Sequence, residues 1–391
     1  APVHCGLAAD VGGTRMSATQ EWIFPGARSV SASLAATLDA VGLKTPGSGA
    51  KRDMLGLPQA DRVCFVLVDG LGFHNLEDRS GHARTLRMWS NRGPLTTVAP
   101  STTAAAITAV GTGALPGATA MTSYALRSPV TGANFSLIKW ENSGVDPVRW
   151  QTHPTLFEQL VPEQADECVL VQPPEFIGSG LTECALRGAR GVAANSLEDR
   201  IDAVARALRS RTRAAYLYWG ELDHTGHGKG WLSEEWVGQL EELDAAMAML
   251  ARRVPRGTLI VLTADHGMID VTRRFDVARE SSLAAGVSLV SGEERAVHLY
   301  TDEAEEVATR WREYFGSGAM IMTKAEIGAN GLFGPLGVRA KETMGDVLVF
   351  MGGTDAVIDS RLRKAGQSFM VGVHGSLTEY EMTVPLLVEV A

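Results

Sequence analysis

The stretch RVCFVLVDGLG, Arg62 to Gly72, decides how the chain is read. A strand with one solvated face alternates apolar and polar residues, whereas a strand covered on both faces is apolar throughout. Val63 to Val68 is apolar without a break, so the segment reads as a buried parallel strand with Asp69 at its carboxyl end and glycines that permit a sharp exit. The same pattern recurs in ECVLVQ (Glu167 to Gln172), in AAYLYWGELD (Ala214 to Asp223), which ends in a carboxylate, and in TLIVLTADHG (Thr258 to Gly267), which ends in a carboxylate and an imidazole. RAVHLYT, DVLVFMGG and MTVPLLVEV supply further strands.

Helical patterns lie between these strands. Ser29 to Val41 places Leu34, Leu38 and Val41 on one face, and Ser196 to Arg209 has Ser196 as N-cap with Ile201, Val204, Ala205 and Leu208 facing inward. Ser233 to Arg253 is acidic in its first turn and basic in its last, with Trp236, Leu240, Leu243, Met247 and Leu250 as its stripe. Buried strands alternating with capped helices predict an α/β fold with a doubly wound, mostly parallel central sheet and helices on both faces. In such sheets the ligand site lies beyond the carboxyl ends of the strands. Residues 1–27 read as irregular and Gly42 to Arg62 as a Gly/Pro/Lys linker. The length fits a single catalytic domain, 1–391, with small cap insertions at about 125–165 and 270–345, where the alternation weakens.

With 36 basic against 45 acidic residues, a formal charge of -9, the chain has no basic field for gripping a nucleic acid polymer. A small anionic substrate held by metal ions fits that balance. Cys5, Cys64, Cys168 and Cys184 form no CxxC or zinc-finger pattern and read as packed thiols. No stretch approaches the roughly 18 to 20 apolar residues that span a bilayer, so the chain reads as soluble, with no membrane partner. A cytoplasmic location is the expectation and export the alternative, because Ala1 follows either a removed methionine or a cleaved signal.

A second stretch bears on chemistry: VAPSTTAAAITAVGTG, Val98 to Gly113. An alanine-rich helix that starts at Ser101, Thr102 or Thr103 aims its unpaired N–H groups and its positive dipole end at those hydroxyls. Such an end binds a phosphoryl group and stabilises an alkoxide, although Ser101 or Thr102 could equally serve only as an N-cap. The strand ends and glycine-rich turns also present Asp69, Asp223, His227, Asp265, His266 and His374. Three carboxylates and three imidazoles are enough for two zinc-like ions with three protein ligands each and open positions besides. His74 and His224 stand near the set but are discounted on spacing.

In order as well as type, these residues resemble the alkaline phosphatase superfamily in its type I phosphodiesterase/nucleotide pyrophosphatase branch. The resemblance rests on VDG at Asp69, Pro-x-x-Thr at Pro100 to Thr103, Thr112-Gly113, Asp-x-x-x-His at 223 and 227, ADHGM at 264–268 and HGSLTEYEMTVPLL from His374, and it spans about 60 to 391. It implies Thr103 as nucleophile, with Thr102 as runner-up. It also implies one metal on Asp223, His227 and His374, and a second on Asp69, Asp265 and His266. The activity it implies is hydrolysis of a small phosphodiester or pyrophosphate substrate through a phosphothreonine intermediate at a two-zinc site. Three histidines favour zinc, with manganese or another divalent ion as the alternative.

Where eukaryotic-type members carry an aromatic residue just after the nucleophile and an asparagine three positions on, this sequence has Ala104 and Ala106. Substrate contact is assigned instead to Tyr124, Lys139 and Trp140. The alternatives are a phosphomonoesterase or phosphonoacetate hydrolase-like enzyme of the same superfamily and, from a different class, a catalytically silent protein that binds a metal or an anion. A sulfatase is disfavoured because Cys/Ser-x-Pro-x-Arg is missing at 100–106.

Overall fold

The computed structural model describes residues 21–363 and 367–391, so Cys5 and the irregular reading of residues 1–20 lie outside the described part. The strands used below are, in chain order, β1 (Val63–Val68), β2 (Ser90–Asn91), β3 (Cys168–Gln172), β4 (Arg190–Ala193), β5 (Ala214–Trp219), β6 (Leu259–Ala264), β7 (Leu289–Glu293), β8 (Ala296–Tyr300), β9 (Ala319–Thr323), β10 (Val347–Met351) and β11 (Leu386–Val390). The helices are α1 (Val30–Ala40), α2 (Thr103–Thr112), α3 (Leu197–Leu208), α4 (Glu221–Lys229) and α5 (Glu234–Arg253).

Seven strands make the large sheet, in the order β2-β11-β6-β1-β5-β3-β4. Strands β6, β1, β5, β3 and β4 run parallel, and β11 lies antiparallel to β6 with β2 outside it. Every residue of β1 and β6 is buried, as their unbroken apolar runs require. Full burial of each such Val, Leu or Ile stabilises the fold by about 1.5–3 kcal/mol relative to exposure. The register fixes where the polar ends emerge: Val68 of β1 pairs with Trp219 of β5 and with Ala264 of β6. Three neighbouring strands therefore stop at one level, and the chain that follows each begins on the same rim.

The helices cover this sheet much as their patterns predict. Ser29 caps α1 by accepting from Ser31 N, Ser196 and Asp199 form a capping box on α3, and Ser233 caps α5. Two expectations are corrected. AAYLYWGELD is not strand to its end, because β5 stops at Trp219 and Asp223 sits in the first turn of α4. The Gly42 to Arg62 linker contains a helix, Ser48–Leu55, closed on each side by a glycine in the left-handed conformation, Gly47 and Gly56. Its single buried leucine, Leu55, gave too little apolar period to read.

RAVHLYT and DVLVFMGG belong to a second sheet, four-stranded and antiparallel, in the order β7-β8-β10-β9. It has its own core around Val290, Leu299, Trp311, Ile321, Val347 and Val349. Between α2 and β3, Leu126, Phe135, Leu137, Trp140 and Trp150 form another apolar cluster. Among the described residues no helix is long and apolar enough to cross a membrane. Cys64, Cys168 and Cys184 are buried and unpaired, and burial holds the Cys168 thiol up at about 12.

Candidate active site

Three strand ends of the large sheet and one bend near the chain's end meet on one side of the molecule. Asp69 follows β1, Asp265 and His266 follow β6, Asp223 and His227 lie one turn apart on α4 just after β5, and His374 precedes Gly375. His227 Nε2 stands 3.1 Å from Asp223 Oδ2, the convergence that i,i+4 spacing on a helix provides. His266 Nε2 is 3.4 Å from Asp69 Oδ1 and 3.5 Å from Asp265 Oδ2, and His374 Nε2 is 3.7 Å from Asp223 Oδ1. The His266 and His374 rings stack with centroids 3.5 Å apart.

Two triads have ligand atoms close enough to share an ion: Asp69, Asp265 and His266 in one, Asp223, His266 and His374 in the other. The second differs from the triad implied by resemblance, with His266 in place of His227. His227 sits at the outer edge of the cluster, its side chain 26% exposed, held by Asp223 and with its ring centroid 5.3 Å from that of His374.

The hydrogen bonding fits a metal. Asp69 Oδ1, Asp223 Oδ1 and Asp265 Oδ2 are buried oxygens that take part in no hydrogen bond, each facing an imidazole Nε2 no nearer than 3.4 Å. Each imidazole instead commits its Nδ1 to a backbone carbonyl: His227 to Gly372 at 2.8 Å, His266 to Gly267 at 3.0 Å and His374 to Ser101 at 2.9 Å. That leaves all three Nε2 atoms directed at the carboxylates, the arrangement by which outer partners orient metal-binding histidines. Three orphaned carboxylate oxygens would be costly in an interior with no cation to meet them.

Electrostatics carry the same signature. Burial, reinforced by the charges of Asp265 and Asp223, pushes the Asp69 carboxyl well above the usual carboxylate range, and burial likewise raises Asp265. Burial also acts to raise Asp223, but His227, His374 and His266 outweigh it and hold that carboxyl down. Burial opposes charge on His227, yet Asp223 and the Gly372 carbonyl lift it to about 9. Burial and the neighbouring His266 push His374 well below the usual imidazole value. Tyr218, unmarked by any motif, donates its hydroxyl to Asp69 Oδ2 at 2.5 Å.

Helix α2 brings Thr103 to this cluster. Thr103 is its first residue, 8% exposed, with Oγ1 3.1 Å from His266 Nε2. Thr102 is the N-cap residue, but its hydroxyl makes no capping bond and reaches Glu293 Oε2 at 3.1 Å instead. Ser101 is tied to Ser376 O at 2.6 Å. Of the three hydroxyls, only that of Thr103 points into the carboxylate and imidazole cluster. Ala104, Ala105 and Ala106 are all completely buried, Ala104 in the cluster with Trp140 and Trp150 and the other two in the core of the large sheet, so the helix is packed on more than one face.

The cluster opens into a cavity of about 1310 Å³, lined by Thr103, Asp69, Tyr218, Asp223, His227 and His374 and also by Tyr124, Lys139 and Phe176. Trp140 does not line it; its ring packs against Phe135 and Trp150. His224 lines the cavity outside both triads, and His74 pairs with Glu379 at 3.1 Å. Glu293 also lines the cavity and was missed by sequence reasoning, because it looks like one of several acids in a polar hairpin.

Residues 63–377 match the type I phosphodiesterase / nucleotide pyrophosphatase family. The chain belongs to that family. It is accordingly a phosphoric ester hydrolase of a metal-dependent family. No curated protein matches it significantly by sequence. Among solved structures, murine ectonucleotide pyrophosphatase / phosphodiesterase 5 superposes with a TM-score of 0.65 at 15% identity, over 83% of this chain and 87% of that one. An inactive form of the same murine protein, in complex with AMP, gives 0.62 at 15% identity over the same shares, 83% and 87%. Phosphonoacetate hydrolase from Sinorhizobium meliloti 1021, in complex with phosphonoformate, gives 0.65 at 18% identity over 84% of this chain and 89% of that one. At these identities the likeness shows the shared fold.

Proposed function

We propose that the chain hydrolyses a small phosphodiester or pyrophosphate through Thr103 as nucleophile at a two-zinc site. The observation that carries this reading is the placement of Thr103 Oγ1, 3.1 Å from His266 Nε2 at the start of a buried helix and beside three orphaned carboxylate oxygens. Asp69, Asp265 and His266 would hold one ion and Asp223 and His374 the other, with His227 joining from the edge. Bound there, zinc supplies charge that lowers the pKa of a hydroxyl and offsets charge building on phosphoryl and leaving oxygens.

The chain's own groups do the rest. A threonine hydroxyl is barely ionised at neutral pH, and the positive end of α2 favours its alkoxide. Thr103 Oγ1 gives up its proton to solvent and attacks phosphorus, the bond to the leaving alcohol or phosphate oxygen breaks, that oxygen takes up a proton from solvent, and the phosphoryl group is carried on Thr103. Water then attacks the phosphothreonine, returns the hydroxyl to Thr103 and releases the phosphate product. Because attack is in line, the leaving group departs on the side away from Thr103. Tyr124 and Lys139 are its proposed contacts. We further read residues 1–391 as one catalytic domain in which the segments near 125–165 and 270–345 roof the site.

A phosphonate hydrolase is the second reading. Lys139 favours it, since an ammonium on the cavity wall suits a substrate with a carboxylate beyond phosphorus. Zinc-loaded protein assayed side by side on bis-p-nitrophenyl phosphate, p-nitrophenyl phosphate and phosphonoacetate separates the two, and the diester is expected to be fastest. Thr103→Ala should abolish turnover while leaving zinc content near normal; a variant that keeps the wild-type rate excludes Thr103 as nucleophile.

A further inference from the structure

Threonine at an N-cap ordinarily turns its hydroxyl back to accept from the N–H of the second or third helical residue. Thr102 holds that position on α2 and does not do so. Its hydroxyl is engaged by Glu293, a residue from the end of β7 in the small sheet, 191 positions away in the chain.

The small sheet is locked where it meets the site. Arg295, two residues past Glu293 and fully buried, pairs with Glu381 Oε2 at 2.7 Å and donates to the Gly352 carbonyl at 3.0 Å. Glu381 in turn accepts from Ser376 N at 3.0 Å. Across from it, the segments around Ser101 and His374 are strapped together: Ser101 N donates to Gly375 O and Gly375 N donates to Ser101 Oγ, both at 3.1 Å. The Glu293 carboxyl rests over that crossing. Its Oε2 is 3.7 Å from His374 Nδ1, and a Cβ on Gly375 would stand 2.7 Å from Glu293 Cδ, so the glycine makes room for it. Glu293 Oε1 is buried with no partner. An interior carboxyl held this way is costly for the fold.

We propose that Glu293 is a positioning residue that diverts Thr102 from capping α2. The first-turn N–H groups of the helix thereby stay open to the phosphoryl group at Thr103. Without Glu293, the Thr102 hydroxyl is free to rotate onto those N–H groups and occupy the donors that phosphoryl oxygens would use. The inference rests on the proposed role of Thr103, and it makes an unusual demand: deleting the Thr102 hydroxyl should repair the loss of Glu293.

The test compares Glu293→Ala, Glu293→Gln and the double variant Glu293→Ala/Thr102→Val, all zinc-loaded, with thermal melts and zinc content confirming folding and loading. Two readouts are taken: kcat on bis-p-nitrophenyl phosphate, and calorimetric affinity for inorganic phosphate. Glu293→Ala is expected to lose about tenfold to a hundredfold in kcat and about tenfold in phosphate affinity, below the roughly 10²–10³ of losing an oxyanion donor outright. Glu293→Gln, whose amide oxygen still accepts from Thr102, should stay within about threefold of wild type. The double variant should recover most of both losses. A double variant no better than Glu293→Ala, or a glutamine variant as poor as the alanine one, overturns the proposal. Phosphate affinity does not require turnover, so a failed nucleophile assignment, seen as an active Thr103→Ala, remains distinguishable from a failed Glu293 assignment.

Discussion

Strands β1 and β6 of the large sheet and β8 and β10 of the small one are equally dry, yet they meet the site in opposite ways. The large sheet ends in chemistry: β1 and β6 run straight into Asp69, Asp265 and His266, and a short turn after β5 leads into Asp223 and His227. The small sheet sends one carboxyl sideways, Glu293, from a hairpin that packs one face on its own core and the other, through Ala296, against Ala99, Leu377 and Met382. In the first case position along a strand and position in the site are the same thing. In the second they are connected only through tertiary packing, by the Arg295–Glu381 pair and the space at Gly375.

The sharpest way to break this comparison is to alter a strand-end residue. Asp265→Asn keeps the shape of a side chain that is completely buried but removes its charge. A loss of at least about a thousandfold in kcat/KM is expected, at the upper end of single-group effects on charge stabilisation. Zinc content by elemental analysis should fall as well. Near-normal zinc and activity would remove Asp265 from the proposed ligand set.

Next in size is a matched pair of core truncations, Leu262→Ala in β6 and Leu299→Ala in β8, both completely buried. Each should cost about 2–5 kcal/mol of stability in urea titrations. Leu262 lies three residues before Asp265, so activity per bound zinc should fall in Leu262→Ala and stay near wild type in Leu299→Ala. Equal activity losses would mean that the two sheets are mechanically one unit.

A smaller effect sharpens the standing of His227 at the cluster's edge. Its metal-free pKa is raised to about 9, so below that pH the ring carries a proton that zinc must displace. Zinc affinity should therefore rise as pH increases, by about tenfold per unit for one displaced proton, and level off above about pH 9. The same raised value means that the His227–Asp223 pair stabilises the metal-free fold fully below about pH 6.5, the ordinary imidazole value, and loses that contribution as pH rises through about 9. Calorimetry in buffers of different ionisation enthalpy reads the proton release directly. A flat affinity between pH 7 and 9 would show that His227 does not join an ion.

The central sheet was legible because a buried parallel strand leaves an unmistakable run of apolar residues with a polar end, as in VCFVLVDG. Helices α3 and α5 were legible for a related reason, since capping serines and period-3.6 stripes mark their bounds. The placement of Asp223 was misread because Gly220 hides the point where strand gives way to helix, and a short helix with little apolar period follows. Trp140 illustrates a different loss. In sequence it reads as a candidate substrate contact and equally as packing or surface, while its ring is packed with Phe135 and Trp150. Glu293 carried no local signal at all. Only the pairing of SGEERAV in space with Gly375 and Thr102 distinguishes it from a solvated hairpin acid, and that pairing joins parts of the chain about 80 and 190 residues away.

The shared level at which Val68, Trp219 and Ala264 end has a consequence for how such an enzyme can change. Sliding β1 by one residue would turn its side chains to the opposite face and move Asp69 along the strand by one step of about 3.3 Å, away from Asp265. Lengthening the chain beyond the rim disturbs no pairing, and loop closure becomes only slowly more costly as a loop grows. The strands are thus a fixed plinth that tolerates almost no insertion, whereas the segments above them are free to be exchanged. New leaving groups can be accommodated by rebuilding those segments while the three strand ends keep their common height.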